Sequence, residues 1–390
     1  MKRPRLPAED DFTSPLRGEP VTSRVSIWLG VCFVIAFLTG LLSHFAQTPH
    51  SWFTYPTRPV SLYRVTQGLH IISGTAAVPL LLVKLWSVFP KLFARLPLPP
   101  RRETLLHLLE RVSIAVLMAS AIFMLATGLS DSAVWYPFGF SFRAAHYAVS
   151  YIAIGSVLVH VAVKLPVVRR GLSTPVHAPT PASADGSTGV TTPTLSRRGL
   201  LRTTWAAVGV AVLATAGASV PFLRQVSIFA VRSGTGPQGV PVNRSASSAN
   251  VLKIATDPGW RLRVTHGATT RHFSRAELQA MPQVTASLPI SCVEGWSAGA
   301  TWTGVRVRDL LARAGAPARS VVSVTSLQPA GSFRQSTLPE QFSEDGDSLI
   351  ALALNGKVLD LEHGFPCRLI TASRPGVLQT KWVSSLDVIA

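Results

Sequence analysis

The 390-residue chain has only three cysteines, Cys32, Cys292 and Cys367, scattered along its length. Thiols so placed exclude a disulfide-stapled scaffold and a CxxC metal site, so each has to be explained singly. Acidic residues are scarce too: 19 stand against 37 lysines and arginines, a formal net charge of +18. Such a surplus fits a nucleic-acid binder or a membrane protein whose spans are flanked by basic residues. Mean hydropathy is positive, and the placement of the charges decides for the membrane.

Four apolar runs, near Val25–Phe45, Leu69–Phe89, Val112–Ser130 and Ala145–Val163, reach the roughly 20 residues that cross a hydrocarbon core of about 30 Å. Lys91, Arg95, Arg101, Arg102 and Arg111 lie between the second and third runs. Lys164, Arg169 and Arg170 follow the fourth, and Lys2, Arg3 and Arg5 open the chain. The other two loops are poorer in basic residues, which places the N-terminus and the 91–111 loop in the cytoplasm. Basic charge is thereby accounted for by topology, and no nucleic-acid partner is expected.

"RVSIWLGVCFVIAFLTGLLS" from Arg24 is echoed by "RVSIAVLMASAIFMLATGLS" from Arg111, and each is followed by a loop and a span carrying His70 or His146. A duplicated helix pair predicts an all-α transmembrane four-helix bundle over residues 21–170, after a cytoplasmic tail at 1–20. Ionisable side chains inside spans are costly and mark function. His146 and His160 return to within about 40° of one helical face, about 21 Å apart along the axis. His70 and His146, at the outer level, are candidate axial ligands of a haem iron, with packing histidines as the alternative. The repeat partner of His160 is Lys84, so an inner haem would have to pair His160 with His107. The histidine placement resembles the four-helix b-type cytochromes of the cytochrome b561 and formate dehydrogenase gamma-subunit group. That resemblance implies one b haem, or two, exchanging electrons with quinone or quinol.

Residues 171–195 are rich in Pro, Ser, Thr, Gly and Ala and predict a flexible linker. "SRRGLLRTTWAAVGVAVLATAGASV" then opens a fifth, anchoring span at 196–222. Its paired Arg197 and Arg198 before an Ala/Gly-rich run resemble a signal for the twin-arginine export machinery; the alternative is an ordinary arginine anchor. Either way the segments that follow, a connector at 223–249 and residues 250–390, are expected outside the cytoplasm.

From residue 250 short β-type runs ("WRLRVTHG", "SVVSVTSL", "PCRLITA") alternate with short helical ones ("SRAELQAM", "VRVRDLLARAG"), which predicts a compact α+β domain. Cys292 ends an apolar run and enters "CVEGWS". By itself it is a buried hydrophobe, a nucleophile or a metal ligand. Together with "GVRVRDLL" and "LALNGKVLDLEHGFPCRLITASRPGVLQTKWV", that stretch resembles the molybdenum-cofactor domain of the sulfite oxidase family. The resemblance implies that Cys292 supplies a thiolate to molybdenum, and that His363, Arg368 and Lys381 hold the molybdopterin. It assigns lesser contacts to Ser326, Asn243 and Arg244. Trp296 and Ser297 stand where animal and plant sulfite oxidases carry arginines, and "CVEGWS" looks more like the bacterial branch that includes the periplasmic methionine-sulfoxide reductase. The expected whole is a membrane-bound molybdopterin-dependent oxidoreductase with a monomeric catalytic domain. It would transfer oxygen atoms on a small oxo-substrate, S-oxide or N-oxide reduction being favoured. Sulfite-type oxidation, or a haem-only conduit with a degenerate outer domain, are the competing expectations.

Overall fold

The computed structural model describes residues 8–12, 14–93, 102–176, 195–230 and 236–389. Most of the expected linker, with His177, lies outside the described residues, as do residues 1–7 of the tail and 231–235 of the connector.

The apolar runs form α1 (Glu19–Ala46), α2 (Leu62–Val88), α3 (Arg102–Ser132), α4 (Phe142–Ser173) and α5 (Arg197–Thr215). Five helices are long and apolar enough to cross a membrane. They present large apolar side chains outward, among them Leu38, Leu82, Leu158, Val163 and Val210, as lipid-facing helices do. The first four extend beyond the runs read from hydropathy, because backbone hydrogen bonding continues through polar flanks that an apolar window cannot register. His70 therefore does not start its span; it lies about two turns inside α2.

Two units divide the chain: Met1–Leu38 with Ile72–Thr215, and Thr39–Ile71 with Ala216–Ala390. In the first, Val21, Val25, Ala76, Leu80 and Val208 form a buried cluster, and Trp28 meets Trp205 edge-on at 5.2 Å between centroids. Polar contacts tie the helices across apolar surface. Arg24 donates to the Gly171 carbonyl at 3.1 Å, Lys84 Nζ to Ser26 Oγ at 2.7 Å, and Lys164 pairs with Glu110.

The second unit contains α6 (Leu252–Ala255), β1 (Arg261–His266), β2 (Thr269–Ser274), α7 (Arg275–Ala280), β3 (Val284–Ser291), β4 (Ser297–Arg306) and α8 (Val307–Arg313). It continues through β5 (Val322–Ser326), β6 (Gln335–Leu338), α9 (Glu340–Glu344), β7 (Leu349–Leu354), β8 (Lys357–Val358), β9 (Arg368–Ile370) and β10 (Val383–Val388). One five-stranded sheet has the order β2-β1-β10-β5-β6; the other runs β3-β4-β7-β8, with β9 also on β7. The local code is direct. Leu262 and Val264 alternate inward on β1, and Ser274 with Glu277 closes a capping box that starts α7. Two cores follow from the two sheets. One gathers Leu262, Leu311, Phe342 and Leu369, and the other Leu288, Ile290, Cys292, Trp296 and Trp302. Short helices on two sheets meet the α+β expectation.

Candidate functional site

Cys292 lies in the turn between β3 and β4. Its N–H donates to the Trp296 carbonyl at 2.8 Å, and the Gly295 N–H to the Cys292 carbonyl at 3.2 Å. The turn needs the left-handed conformation that Gly295 adopts at φ 87°. Below it, the Ser291 and Ser297 hydroxyls lie 2.8 Å apart and clamp the strand ends. The thiol is fixed by tight backbone geometry and buried, as is Trp296.

The second part of the site is a set of buried cations. Arg368 enters on β9, antiparallel to β7. Its guanidinium lies over Trp302 at 5.2 Å and donates to the carbonyls of His363 at 3.2 Å and Gln379 at 3.0 Å. Lys381 Nζ donates to the carbonyls of Arg244 and Glu362, both at 2.8 Å. Arg374 donates to the carbonyls of Leu378 and Thr337. All three cations are buried; their hydrogen-bond acceptors are neutral carbonyls, and among the described residues none is in an ion pair. The Nε atoms of Arg368 and Arg374 are buried without a hydrogen-bond partner.

Buried cations without counter-charge are unfavourable, and the site records that cost. Burial, with Arg368 alongside, pulls Lys381 down to about 7, although the Cys292 thiolate works the other way. That opposing influence puts thiol and ammonium in one electrostatic neighbourhood. Burial alone lowers Arg368 and Arg374 to about 9. His363, buried and next to Arg368, falls to about 4. Its Nε2 lies 2.7 Å from the Pro237 carbonyl, so the neutral ring carries its proton there and donates it. The donor set suits a polyanionic group such as a pterin phosphate. Gly364 keeps the floor compact: at φ +111°, a Cβ there would come within 3.0 Å of Arg368 Cβ and 3.1 Å of Lys381 Cα. Trp382 holds φ 52°, a strained value for a bulky residue. It is pinned by its indole N–H to the Leu361 carbonyl at 2.8 Å.

The other expected site residues play supporting parts. Ser326 donates its hydroxyl to the Lys381 carbonyl at 2.8 Å, fixing the lysine's backbone. Asn243 Oδ1 accepts from the Arg244 N–H at 2.9 Å, a local turn that presents the Arg244 carbonyl to Lys381. Arg244's own side chain is exposed and reaches the Ser248 carbonyl at 3.3 Å. Arg374 and Gly376 were not singled out from the sequence. Their signal was a charge and a glycine within the apolar stretch "CRLITASRPGVL". The 49–63 segment was also missed. Pro49 accepts from the Thr337 N–H at 2.9 Å, and Val60 from the Ser373 N–H at 3.2 Å. The Ser373 hydroxyl accepts from the Tyr63 N–H at 3.3 Å, and Arg58 pairs with Asp345 at 3.3 Å and Asp347 at 2.6 Å.

Among the helices, His70 Nδ1 is 3.3 Å from the Thr39 hydroxyl, and His146 Nδ1 is 2.9 Å from the Thr127 hydroxyl. Each threonine precedes a glycine that accommodates the ring: a Cβ at Gly40 would lie 2.8 Å from His70 Cε1, and one at Gly128 3.4 Å from His146 Cε1. The repeated "TG" in the two echoed runs carried this signal. His160 lies in electrostatic range of Lys84, Lys164 and Glu110. The His107 backbone is helical, and its side chain lies outside the described residues.

Residues 249–390 match the family described as oxidoreductase molybdopterin binding domain. The chain is 32% identical over 114 residues to a sulfite oxidase of Arabidopsis thaliana, a match covering 25% of this chain and 29% of that protein. It is 25% identical over 162 residues to the mitochondrial sulfite oxidase of Drosophila melanogaster, covering 35% and 28%. It thus spans under a third of the length of these relatives. A solved structure of the sulfane dehydrogenase SoxCD from Paracoccus pantotrophus is 22% identical, over 34% of this chain and 38% of that one, at a TM-score of 0.31, too low to bear on the fold. The buried thiol, the buried cations and the sequence relationship agree: residues 249–390 form a molybdopterin-binding oxidoreductase domain of the sulfite oxidase type.

Proposed function

We propose that the chain is a membrane-bound molybdopterin-dependent oxidoreductase that transfers an oxygen atom on a small extracytoplasmic substrate, S-oxide or N-oxide reduction being favoured. It exchanges electrons with the quinone pool through b haem. The observation that carries the reading is the buried cation set of Arg368, Arg374 and Lys381, which has carbonyls but no counter-charge among the described residues, in the electrostatic neighbourhood of the Cys292 thiol.

Arg368 and Lys381 would hold the cofactor's anionic part and His363 would donate no charge, being neutral above its lowered pKa. Cys292 would ligate the metal as thiolate, a soft donor for a high-valent oxo centre. When bound, the molybdenum supplies two-electron oxygen-atom chemistry. The chain's own part is to keep the thiolate rigid, balance the cofactor's charge and exclude water from the floor.

For the helical half, the reading is a four-helix b-type cytochrome with His70 and His146 as haem ligands. The duplicated Thr–His contacts support it, since a hydrogen bond to one ring nitrogen fixes the tautomer and orientation of a metal-ligating histidine. Exposed Trp52, Trp135 and Phe138 in the two loops poor in basic residues suit an outer membrane interface. An inner haem on His160 and His107 is not favoured, given the charged neighbours of His160.

Haem per chain by pyridine haemochrome tests the cytochrome part: the expectation is a loss of haem in His70→Ala and His146→Ala, with His160→Ala unaffected. A wild-type chain without haem would remove it. Export is tested by replacing Arg197 and Arg198 with lysine, which should leave the C-terminal domain protected from protease added outside; unchanged accessibility would reduce the pair to an anchor.

A further inference from the structure

The turn that holds Cys292 brings no cation of its own: residues 292–297 are Cys-Val-Glu-Gly-Trp-Ser. A cation reaches it from another part of the chain. After α5, residues 216–230 fold into a tight knot. The Gly217 N–H donates to Ser227 Oγ at 2.8 Å, and a Cβ at Gly217 would come within 2.4 Å of Ser227 Cβ and 2.9 Å of Arg224 Cα. Two contacts fasten the knot to the cysteine turn on either side of Trp296. Ser219 donates its hydroxyl to the Gly295 carbonyl, and Arg224 reaches the Ser297 carbonyl at 3.4 Å.

The knot is two-faced. Phe222, Val226, Ile228 and Phe229 are exposed, while Arg224 is partly buried against the turn. Its one hydrogen bond is long, its Nε is buried without a partner, and no carboxylate pairs with it among the described residues. A structural arginine would use its fork more fully, as Arg368 does with two carbonyls.

We propose that Arg224 is the substrate-binding cation of the Cys292 site and that the substrate is a small oxyanion, its oxygens accepting from the guanidinium. This rests on the reading of Cys292 as the reacting centre. The counter-charge that the cysteine turn lacks is supplied by the segment joining the fifth helix to the catalytic domain. Specificity for charge is therefore set outside the residues that match the molybdopterin-binding family.

The test uses the full-length chain in detergent, with molybdenum content measured first; a chain without molybdenum removes the reading of the site itself. On the loaded protein, sulfate is titrated by calorimetry into wild type, Arg224→Gln, Arg224→Met, Arg224→Lys and Ser219→Ala. Sulfate should bind wild type at about one site per chain. Its affinity should fall at least about tenfold in the Gln and Met variants, the loss of a charge-assisted bond. It should fall less in Arg224→Lys and hold in Ser219→Ala, which loosens the knot but keeps the cation. Unchanged affinity in a folded, loaded Gln or Met variant overturns the proposal. So does an equal fall in Ser219→Ala, which would make the effect one of loop position. Failure of both neutral variants to fold or load would also overturn it, by making Arg224 a structural residue.

Discussion

Gly376 stands against Cys292: a Cβ built on it would lie 3.6 Å from the cysteine's Cα and 2.9 Å from the Ser291 carbonyl oxygen. Contact at 2.9 Å with backbone cannot be relieved by turning a side chain, so the thiol's turn has to move. Gly376→Ala should cost roughly 1–3 kcal/mol, the usual range for overpacking a tight core, and should lower molybdenum retention. Thermal unfolding together with metal content checks this; a variant as stable and as loaded as wild type would show that the turn is loose.

Arg368→Lys should lose cofactor although charge is conserved. The guanidinium bridges two carbonyls, at 3.2 Å and 3.0 Å, while stacking over Trp302, and a single ammonium reproduces neither the fork nor the stack. Pterin content, read as fluorescence after oxidative release, should fall at least about tenfold, the scale of one charge-assisted bond. Full retention in the lysine variant would mean that only net charge matters there.

The pH dependence of the cofactor-free chain follows from Lys381 and His363. Lys381 sits at about 7 in the folded protein, down from its ordinary 10.5. Between those values the unfolded chain holds a proton that the folded one lacks, so stability rises with pH across that window. Arg368 and Arg374, lowered to about 9, act in the same direction at still higher pH. For His363, ordinarily 6.5 and here about 4, the folded state loses ground as pH falls through that lower window. The cofactor-free protein should therefore melt higher at pH 9 than at pH 7 and lower at pH 5. A bound anion draws Lys381 back up and should shrink the rise in loaded protein. A cofactor-free melting temperature that falls from pH 7 to pH 9 would contradict the burial of these cations.

The legible features were those written in local pattern. Apolar length gave the membrane-length helices, alternation such as that of Leu262 and Val264 gave strands, and "CVEGWS" with "HGFPCR" marked the turn and the floor of the site. What stayed hidden depends on residues far apart in sequence. Arg374 reads as a surface charge until Thr337 and Leu378 are folded around it. Tyr63 meets Ser373 across 310 positions, and Arg224 meets Ser297 across 73; no window-based reading can register either. Asn243 and Ser326 were found but with the wrong emphasis, since their side chains hold backbone. The start of α2 was placed too late because polar flanks such as Tyr63, Arg64 and Gln67 are helical without being apolar.

The central claim is that Cys292 and the buried cations form one cofactor site, and metal and pterin content per chain tests it most directly. Wild type should carry about one molybdenum and one pterin. Cys292→Ser should keep the pterin, held by Arg368 and Lys381, while turnover collapses, because a hydroxyl is a poor substitute for a thiolate on the metal. Wild-type protein from a cofactor-competent host with neither molybdenum nor pterin, or a Cys292→Ser variant with full activity, would contradict the account.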